Sequence, residues 1–226
     1  MRIGVLGTGM VGRAIAARVA ELGHEATIGT RDPTATLART ERDRFGHPPM
    51  SEWLRDRSGI QLKTFEEAAA NSEIVVNATS GEGALAALRA AGAENLKGKP
   101  LVDIANPLDY SQGMPPTLSV ANTDSLGEQI QREFPDANVV KTLNTTNARV
   151  MVDPGSVAGG NHTMFMAGND AAAKESVRAL LESFGWRDII DIGDITNARG
   201  LEMILPIWVR LMGPLGTIAF NFKIAR

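Results

Sequence analysis

Residues 2–12 read RIGVLGTGMVG, in which an apolar run passes directly into glycines at Gly7, Gly9 and Gly12. The spacing G-x-G-x-x-G after a strand-like run, followed by a helical pattern from Met10 to Leu22, is typical of a strand, a tight turn and a helix that bind a dinucleotide. The first glycine makes the turn, the second lets the backbone approach a pyrophosphate, and the third lets the helix pack on the strand. A glycine-rich turn without a ligand is the alternative. The loop predicted to bind the cofactor consists of Gly7, Thr8, Gly9, Met10, Val11 and Gly12.

The alternation of strand and helix continues beyond this unit and predicts an α/β fold, a Rossmann-like doubly wound parallel sheet. The predicted strands are Arg2–Leu6, Glu25–Gly29, Ile60–Lys63, Glu73–Ala78, Leu101–Ala105 and Asn138–Leu143. The predicted helices are Met10–Leu22, Pro33–Arg44, Phe65–Ala70, Glu82–Ala91 and Asp124–Phe134.

The pattern changes after about residue 155. Strands are predicted at His162–Ala167 and Ile189–Ile192, around a helix at Ala171–Phe184, and a last helix at Asn197–Met212. We therefore expect a dinucleotide-binding domain over residues 1–155. Residues 156–226 are expected to form a small C-terminal extension that adds strands and a terminal helix and supplies the substrate crevice and dimer contacts.

The last helix carries only two charged residues, Glu202 and Arg210, between Leu201 and Met212. A one-sided surface helix would carry more, so this helix is expected to be buried. The tail alternates Ile218, Phe220, Phe222 and Ile224, and the combined apolar surface predicts a homodimer. Burial of the helix inside one monomer is the alternative.

Composition excludes several classes of protein. The 226 residues carry a net charge of -3, which argues against nucleic-acid binding by bulk charge. There is no Cys, so thiol catalysis, iron–sulfur clusters and Cys–zinc sites are excluded, and no metal site is predicted. No apolar run reaches the about 18 to 20 residues that a membrane span needs, and glycines interrupt the N-terminal run that a signal peptide would require. The expectation is a cytoplasmic protein with a small-molecule partner.

The residues after the second strand distinguish the two nicotinamide cofactors. An acid there would accept the ribose 2′-OH of NAD, whereas an arginine would pair with the 2′-phosphate of NADP. The strand leaves through Thr30 and Arg31, which favour NADP(H). Asp32 precedes Pro33 and is well placed as a helix N-cap, although its distance from Gly12 also suits a ribose acid.

Small or amide residues follow three other strands, and the carboxyl ends of parallel strands line one crevice. We expect these residues to lie near the nicotinamide, with the amide of Asn144 orienting its carboxamide; turn formation is the alternative for both asparagines. The residues are Ala78, Thr79, Ser80, Asn106 and Asn144.

Proton-transfer residues are scarce where alcohol dehydrogenation would need them. Lys141 falls inside a strand, and no His is expected at the strand exits: His24, His47 and His162 all lie elsewhere. Hydride transfer to a ring that is already an acceptor, such as a flavin or deazaflavin, requires mainly orientation and suits this sequence better. A nucleotide-binding sensor without catalysis is the alternative.

Two segments interrupt the repeat. Residues 45–56 form an insertion in which Glu52-Trp53-Leu54 can start a short helix, and residues 109–122 form a Pro-rich loop after the fifth strand. Long loops at strand ends cover a ligand in many such sheets; a solvent-exposed insertion is the alternative for the second segment.

Residues 3–31, with GTGMVG and Ile28-Gly29-Thr30-Arg31, resemble the coenzyme F420-dependent NADP oxidoreductase family, as do residues 197–206 and 213–216. The resemblance implies a dimeric enzyme that passes hydride between NADPH and the deazaflavin F420. It places Thr8, Gly9, Met10 and Val11 at the pyrophosphate, and Thr30 and Arg31 at the 2′-phosphate.

The sequence departs from that family at two places. Asn144 stands where archaeal members tend to carry His, and the insertion at 45–56 is absent from compact members. These departures concern the second substrate, for which a flavin, a quinone or a ferric chelate is the alternative to F420.

Overall fold

The computed structural model describes residues 1–43 and 46–226, which form ten strands, ten α-helices and three short 3₁₀ helices. The strands are Arg2–Leu6 (β1), Glu25–Thr30 (β2), Ile60–Thr64 (β3), Ile74–Asn77 (β4), Pro100–Asp103 (β5), Leu108–Asp109 (β6), Thr117–Leu118 (β7), Asn138–Thr142 (β8), Thr163–Gly168 (β9) and Asp188–Asp191 (β10). The helices are Met10–Glu21 (α1), Pro33–Leu37 (α2), Met50–Leu54 (α3), Phe65–Ala70 (α4), Gly81–Ala91 (α5), Ala93–Leu96 (α6), Leu126–Glu133 (α7), Ala148–Val152 (α8), Ala171–Phe184 (α9) and Ala198–Leu215 (α10).

Eight strands form one sheet in the order β10-β9-β8-β5-β4-β1-β2-β3, and β6 and β7 form a separate hairpin. Every pair in the sheet is parallel except β8 and β9. The chain moves outward from β1 to β3 and then returns to place β4 on the other side of β1. This reversal opens a crevice at the carboxyl ends of β1 and β4, where such sheets bind ligands. The prediction of a doubly wound α/β sheet with added C-terminal strands is confirmed.

Two apolar layers cover the sheet, one on each face. Ile3 and Val5 point into the layer that contains α1, α8 and α9, whereas Leu6 points into the layer that contains α4, α5, α6 and α7. Gly4 faces this second layer, where a Cβ would lie 2.5 Å from the carbonyl oxygen of Ala68. The sheet is therefore buried on both faces, as near-continuous apolar strands predict.

The predicted helix at Pro33–Arg44 is wrong in length, since α2 ends at Leu37. Its hydroxyl residues Thr34 and Thr36 favour helices only weakly. Farther along the chain, the carboxylate of Asp43 accepts hydrogen bonds from the backbone and the ring of His47. Residues 44 and 45, the predicted end of this helix and the first residue of the insertion, lie outside the described residues. The short helix expected to start at Glu52-Trp53-Leu54 is present as α3, but it begins at Met50 and ends at Leu54.

The Pro-rich loop contains the hairpin β6–β7, which was not predicted. Apart from the helix after Pro33 and the short helix α3, the predicted strands and helices end within three residues of the observed ends. The last helix is buried on one face within the monomer, so burial inside one monomer is incomplete, and burial between subunits stays a prediction. Leu201, Glu202 and Leu205 are buried, whereas Met203 and Ile207 on the opposite face are 40% and 50% exposed. No helix within residues 1–43 and 46–226 has the length and apolarity that a membrane crossing requires.

Candidate functional site

The glycine loop lies between β1 and α1, at the crevice. Gly7 has φ +121°, and a Cβ there would lie 2.6 Å from the carbonyl oxygen of Ala78, so both conformation and space require glycine. A Cβ on Gly12 would lie 2.1 Å from the carbonyl oxygen of Gly7, so the helix packs too closely on the loop for any side chain at this position. A Cβ on Gly9 would meet nothing within 4 Å. The loop is therefore tight on its protein side and open on the other.

The N-terminus of α1 faces this open side. Its cap residue Gly9 offers no side chain to the first N–H groups, and the first turn carries no acidic residue. Gly9 and Met10 are exposed, and Thr8 and Val11 are half-buried. Free N–H groups and the positive end of the helix dipole together favour an anion such as a pyrophosphate.

Three residues at the end of β2 bear on cofactor choice, Thr30, Arg31 and Asp32, and their side chains have different partners. Asp32 caps α2, because its Oδ1 accepts a hydrogen bond of 2.9 Å from the N–H of Ala35, and the prediction of an N-cap followed by Pro at the first helical position is confirmed. The hydroxyl of Thr30 is 3.0 Å from that of Thr36, and Thr30 is only 8% exposed. Arg31 is exposed and pairs with none of the described residues. Arg31 is thus the charged group available at this strand end.

The end of β4 uses its hydroxyls within the protein. Thr79 donates a hydrogen bond of 2.7 Å to Oδ1 of Asn77, and Ser80 accepts one from the N–H of Gly83, which caps α5. The N–H of Ala78 donates to the carbonyl of Leu6, so this turn lies directly beside the glycine loop.

The two asparagines at the ends of β5 and β8 bond each other. Nδ2 of Asn144 donates to Oδ1 of Asn106 at 2.9 Å and to the carbonyl of Leu201 at 3.0 Å, and Nδ2 of Asn106 donates to the carbonyl of Asn144. Asn144 is 1% exposed, and its Oδ1 accepts no hydrogen bond from the described part of the chain. A buried acceptor without a donor is costly, so this atom is suited to an N–H from a bound amide.

A buried ionic network runs beneath these strand ends, and the sequence did not reveal it. The ammonium of Lys141 lies 2.7 Å from Asp103 and 2.8 Å from Glu202, and it also bonds the carbonyl of Ala105; all three charged side chains are at most 1% exposed. Burial lowers the pKa of Lys141, but the two carboxylates outweigh it and raise the pKa above its usual value. Lys141 therefore stays protonated and is a structural cation rather than a base.

The network connects the crevice to the last helix. Asp103 accepts a hydrogen bond of 2.8 Å from Nδ2 of Asn77, the residue that holds Thr79. At the other end, Glu202 of α10 accepts bonds from the N–H groups of Leu126 and Gly127 at the start of α7. The signal lay in the register: Asn77, Asp103 and Lys141 are neighbours across β4, β5 and β8.

The histidines lie away from the strand ends, as the sequence predicted. His24 precedes β2 near the chain N-terminus, His47 bonds Asp43, and the buried His162 bonds the carbonyl of Pro154 and the amide of Asn221. Beside Pro107, a cavity of about 600 Å³ opens between α5, the hairpin and α7. Its walls include Leu85, Leu108 and Leu126, which suit a flat ring.

Comparison with known proteins adds independent findings. The sequence profile of the family described as coenzyme F420-dependent NADP oxidoreductase matches residues 2–107. A crystal structure provisionally named as an F420-dependent NADP reductase, from Arthrobacter sp. FB24, has 64% identity and a TM-score of 0.95, and the match covers 100% of both chains.

Two curated relatives are more distant. The F420-dependent NADP reductase of Methanothermobacter marburgensis is 28% identical over 93% of this chain and 92% of its own length. Metalloreductase STEAP3 of Rattus norvegicus is 26% identical over 92% of this chain, but the matched region is 38% of that protein.

Proposed function

Because the chain belongs to the coenzyme F420-dependent NADP oxidoreductase family, and is therefore an NADP-dependent oxidoreductase, we propose that it passes hydride between NADP(H) and a deazaflavin acceptor of the F420 type. The observation that carries the proposal is the full-length likeness to the Arthrobacter sp. FB24 structure at 64% identity. The relative from Methanothermobacter marburgensis carries the same activity in its name.

The residues present fit a dinucleotide at two places. The open side of Gly9 leaves room for a pyrophosphate against the free N–H groups of α1, and Oδ1 of Asn144 is a buried acceptor that lacks a donor. Residues 7–12 would hold the pyrophosphate, and Arg31 would pair with the 2′-phosphate. Thr30, whose hydroxyl is bonded to Thr36, would support this site by fixing α2.

The nicotinamide end would lie along the other strand exits, at Ala78, Thr79, Ser80, Asn106 and Asn144. NADPH supplies the hydride when it is bound. The residues of the chain would orient and enclose the reacting rings. The Asn144–Asn106 pair holds Oδ1 of Asn144, the acceptor for the carboxamide, in place, and the Asn77–Asp103–Lys141 network holds the turn that contains Thr79. Orientation of two bound rings can supply about 7 to 11 kcal/mol of the barrier, so no dedicated acid or base is needed.

A metalloreductase-like acceptor is the second candidate, and the STEAP3 relative favours it. Its acceptor would be a flavin, a quinone or a ferric chelate. The domain division proposed from the sequence applies to either reaction: residues 1–155 bind the cofactor, and residues 156–226 wall the crevice. The tail contributes to that wall, since the carbonyl of Phe220 accepts a hydrogen bond from Thr146 and its ring stacks on Trp208 at 5.0 Å.

The acceptor is tested by following NADPH oxidation with F420, FMN, a quinone and a ferric chelate in parallel. F420 should give the highest kcat/KM. A higher value for FMN or the chelate would favour the second candidate, and binding of NADPH without oxidation by any acceptor would favour a sensor.

Cofactor choice is tested separately with Arg31→Ala. Hydrogen bonds to a charged group contribute about 1.5 to 3 kcal/mol, so NADPH should bind roughly 10- to 150-fold more weakly while NADH is nearly unaffected. Equal losses of affinity for NADPH and NADH would show that Arg31 does not bind the 2′-phosphate.

A further inference from the structure

A second cleft opens beside the glycine loop, on the side of α2. It has a volume of about 440 Å³, and its walls include Thr8 of the loop, Thr36 of α2 and Arg39 in the segment that follows α2. This volume is in the range of small-molecule sites. The cleft therefore extends from the place proposed for the pyrophosphate toward the residues that follow Arg31.

Three arginines of the described chain line this cleft, and two of them bond other residues of its walls. Arg13 donates from Nε to the carbonyl of Thr8 at 2.9 Å and from a terminal nitrogen to that of Pro48 at 2.6 Å. Arg42 donates to the carbonyl of Gly46 at 2.8 Å and lies 3.8 Å from Glu52. Arg13 therefore ties the insertion to the nucleotide loop, and Arg42 ties the insertion to the segment that follows α2.

Arg39 is the third, and it differs from the other two. It is exposed, and its guanidinium has no hydrogen bond or ion pair with residues 1–43 and 46–226. The cleft also contains two carboxylates, Glu41 and Asp43, of which Asp43 bonds His47. Among the described residues that line the cleft, three cations against two anions give a net positive charge.

Thr36 adds a neutral donor to the same wall. Its hydroxyl and that of Thr30 share one hydrogen bond, which uses only one of their two hydrogens. When Thr30 donates, the hydroxyl of Thr36 keeps its hydrogen for an oxygen in the cleft. An uncommitted guanidinium and a hydroxyl donor are the groups that recognise a phosphate monoester.

The geometry points to Arg39 as a second specificity-determining residue for the 2′-phosphate of NADP(H), an inference that rests on the proposed function. Arg31 lies at the end of β2, before α2, and Arg39 lies two residues beyond the other end of that five-residue helix. At about 1.5 Å of rise per residue the helix is short enough for two long side chains to converge on one phosphate. A phosphate monoester carries a charge of about -1.5 to -2 at neutral pH, which two guanidiniums balance better than one.

The test compares two fragments of the cofactor by calorimetry, adenosine 2′,5′-bisphosphate and adenosine 5′-monophosphate. The variants are Arg39→Gln, Arg31→Gln and, as a matched control, Arg187→Gln, an exposed arginine before β10. Arg39→Gln should weaken the bisphosphate by about tenfold or more and leave the monophosphate within about twofold. Arg187→Gln should change neither, and the melting temperatures of all variants should match that of the wild type.

The outcomes separate the inference from the function on which it rests. If the wild type shows no preference for the bisphosphate, the proposed choice of NADP(H) fails. If the wild type prefers the bisphosphate and Arg31→Gln removes the preference while Arg39→Gln keeps it, only the role of Arg39 is overturned. An equal loss of both fragments in Arg39→Gln also overturns that role.

Discussion

Replacing Lys141 by Met is expected to lower the free energy of unfolding by about 3–5 kcal/mol, the usual cost of removing one partner from a buried ion pair. Lys141 is fully buried, and Asp103 and Glu202 both lie within 3 Å of its ammonium. Met fills a similar volume but leaves two buried carboxylates without their cation. Each carboxylate keeps backbone N–H donors, from Ala105 and from Leu126 and Gly127, so the loss should not exceed this range.

The loss should be partly recoverable, which distinguishes an electrostatic cause from poor packing. Adding Glu202→Gln to Lys141→Met removes one of the unpaired charges, and the new amide oxygen can still accept from the start of α7. The double variant should therefore be more stable than Lys141→Met alone. Lys97→Met is the matched control, because Lys97 is half exposed and its pair with Asp136 at 3.6 Å should contribute at most about 1 kcal/mol.

The assay is urea unfolding followed by tryptophan fluorescence, for which Trp186 is a buried reporter with 2% exposure. A Lys141→Met variant within 1 kcal/mol of the wild type would refute the view that the network carries stability. A double variant less stable than the single one would refute the electrostatic cause.

Four further outcomes are expected. Asn144→Leu should lower turnover strongly, because Leu keeps the volume but offers no hydrogen-bond acceptor. Changing each histidine to Gln should leave turnover per folded enzyme within a few-fold. A histidine variant that still binds NADPH but has lost activity would indicate that the reaction includes proton transfer. Light scattering should give about twice the monomer mass of 24.1 kDa, because the face of α10 with Met203 and Ile207 is exposed, and a 24.1 kDa particle at micromolar concentration would leave that face without a partner. The hydrogen bond from Arg199 lowers the pKa of Glu128 against the opposing effect of burial. The Glu128 carboxylate should therefore stabilise the fold above about pH 4.5, and this stabilisation should be lost as pH falls through the folded-state pKa. In unfolding experiments Glu128→Gln should reduce this loss of stability in acid, whereas Glu175→Gln should not.

Much of the fold could be predicted from the sequence because its signals are local. The glycine spacing after β1, the Asp32–Pro33 cap and the apolar strands each depend on neighbouring residues, and they fixed the parallel sheet and the position of the crevice. The overlong helix after Pro33 shows the limit: α2 ends at Leu37, although the residues up to Arg44 read as a continuous helical pattern.

The buried network could not be predicted in the same way, because it depends on strand order and register. Lys141 in isolation is a charged residue inside a strand, and Glu202 is one of two charges in an apolar helix. Only the pairing of β4 with β5 and of β5 with β8 places Asn77, Asp103 and Lys141 side by side. The cleft with Arg39 likewise depends on where the chain turns after α2.

The most direct test of the central proposal is a steady-state assay of the purified protein with NADPH and F420, with FMN and a ferric chelate as parallel acceptors and NADH as the competing donor. The proposal predicts equimolar oxidation of NADPH and reduction of F420, with the highest kcat/KM for this pair and a much lower value for NADH. Reduction of FMN or the chelate at a higher kcat/KM, with no reduction of F420, would contradict it.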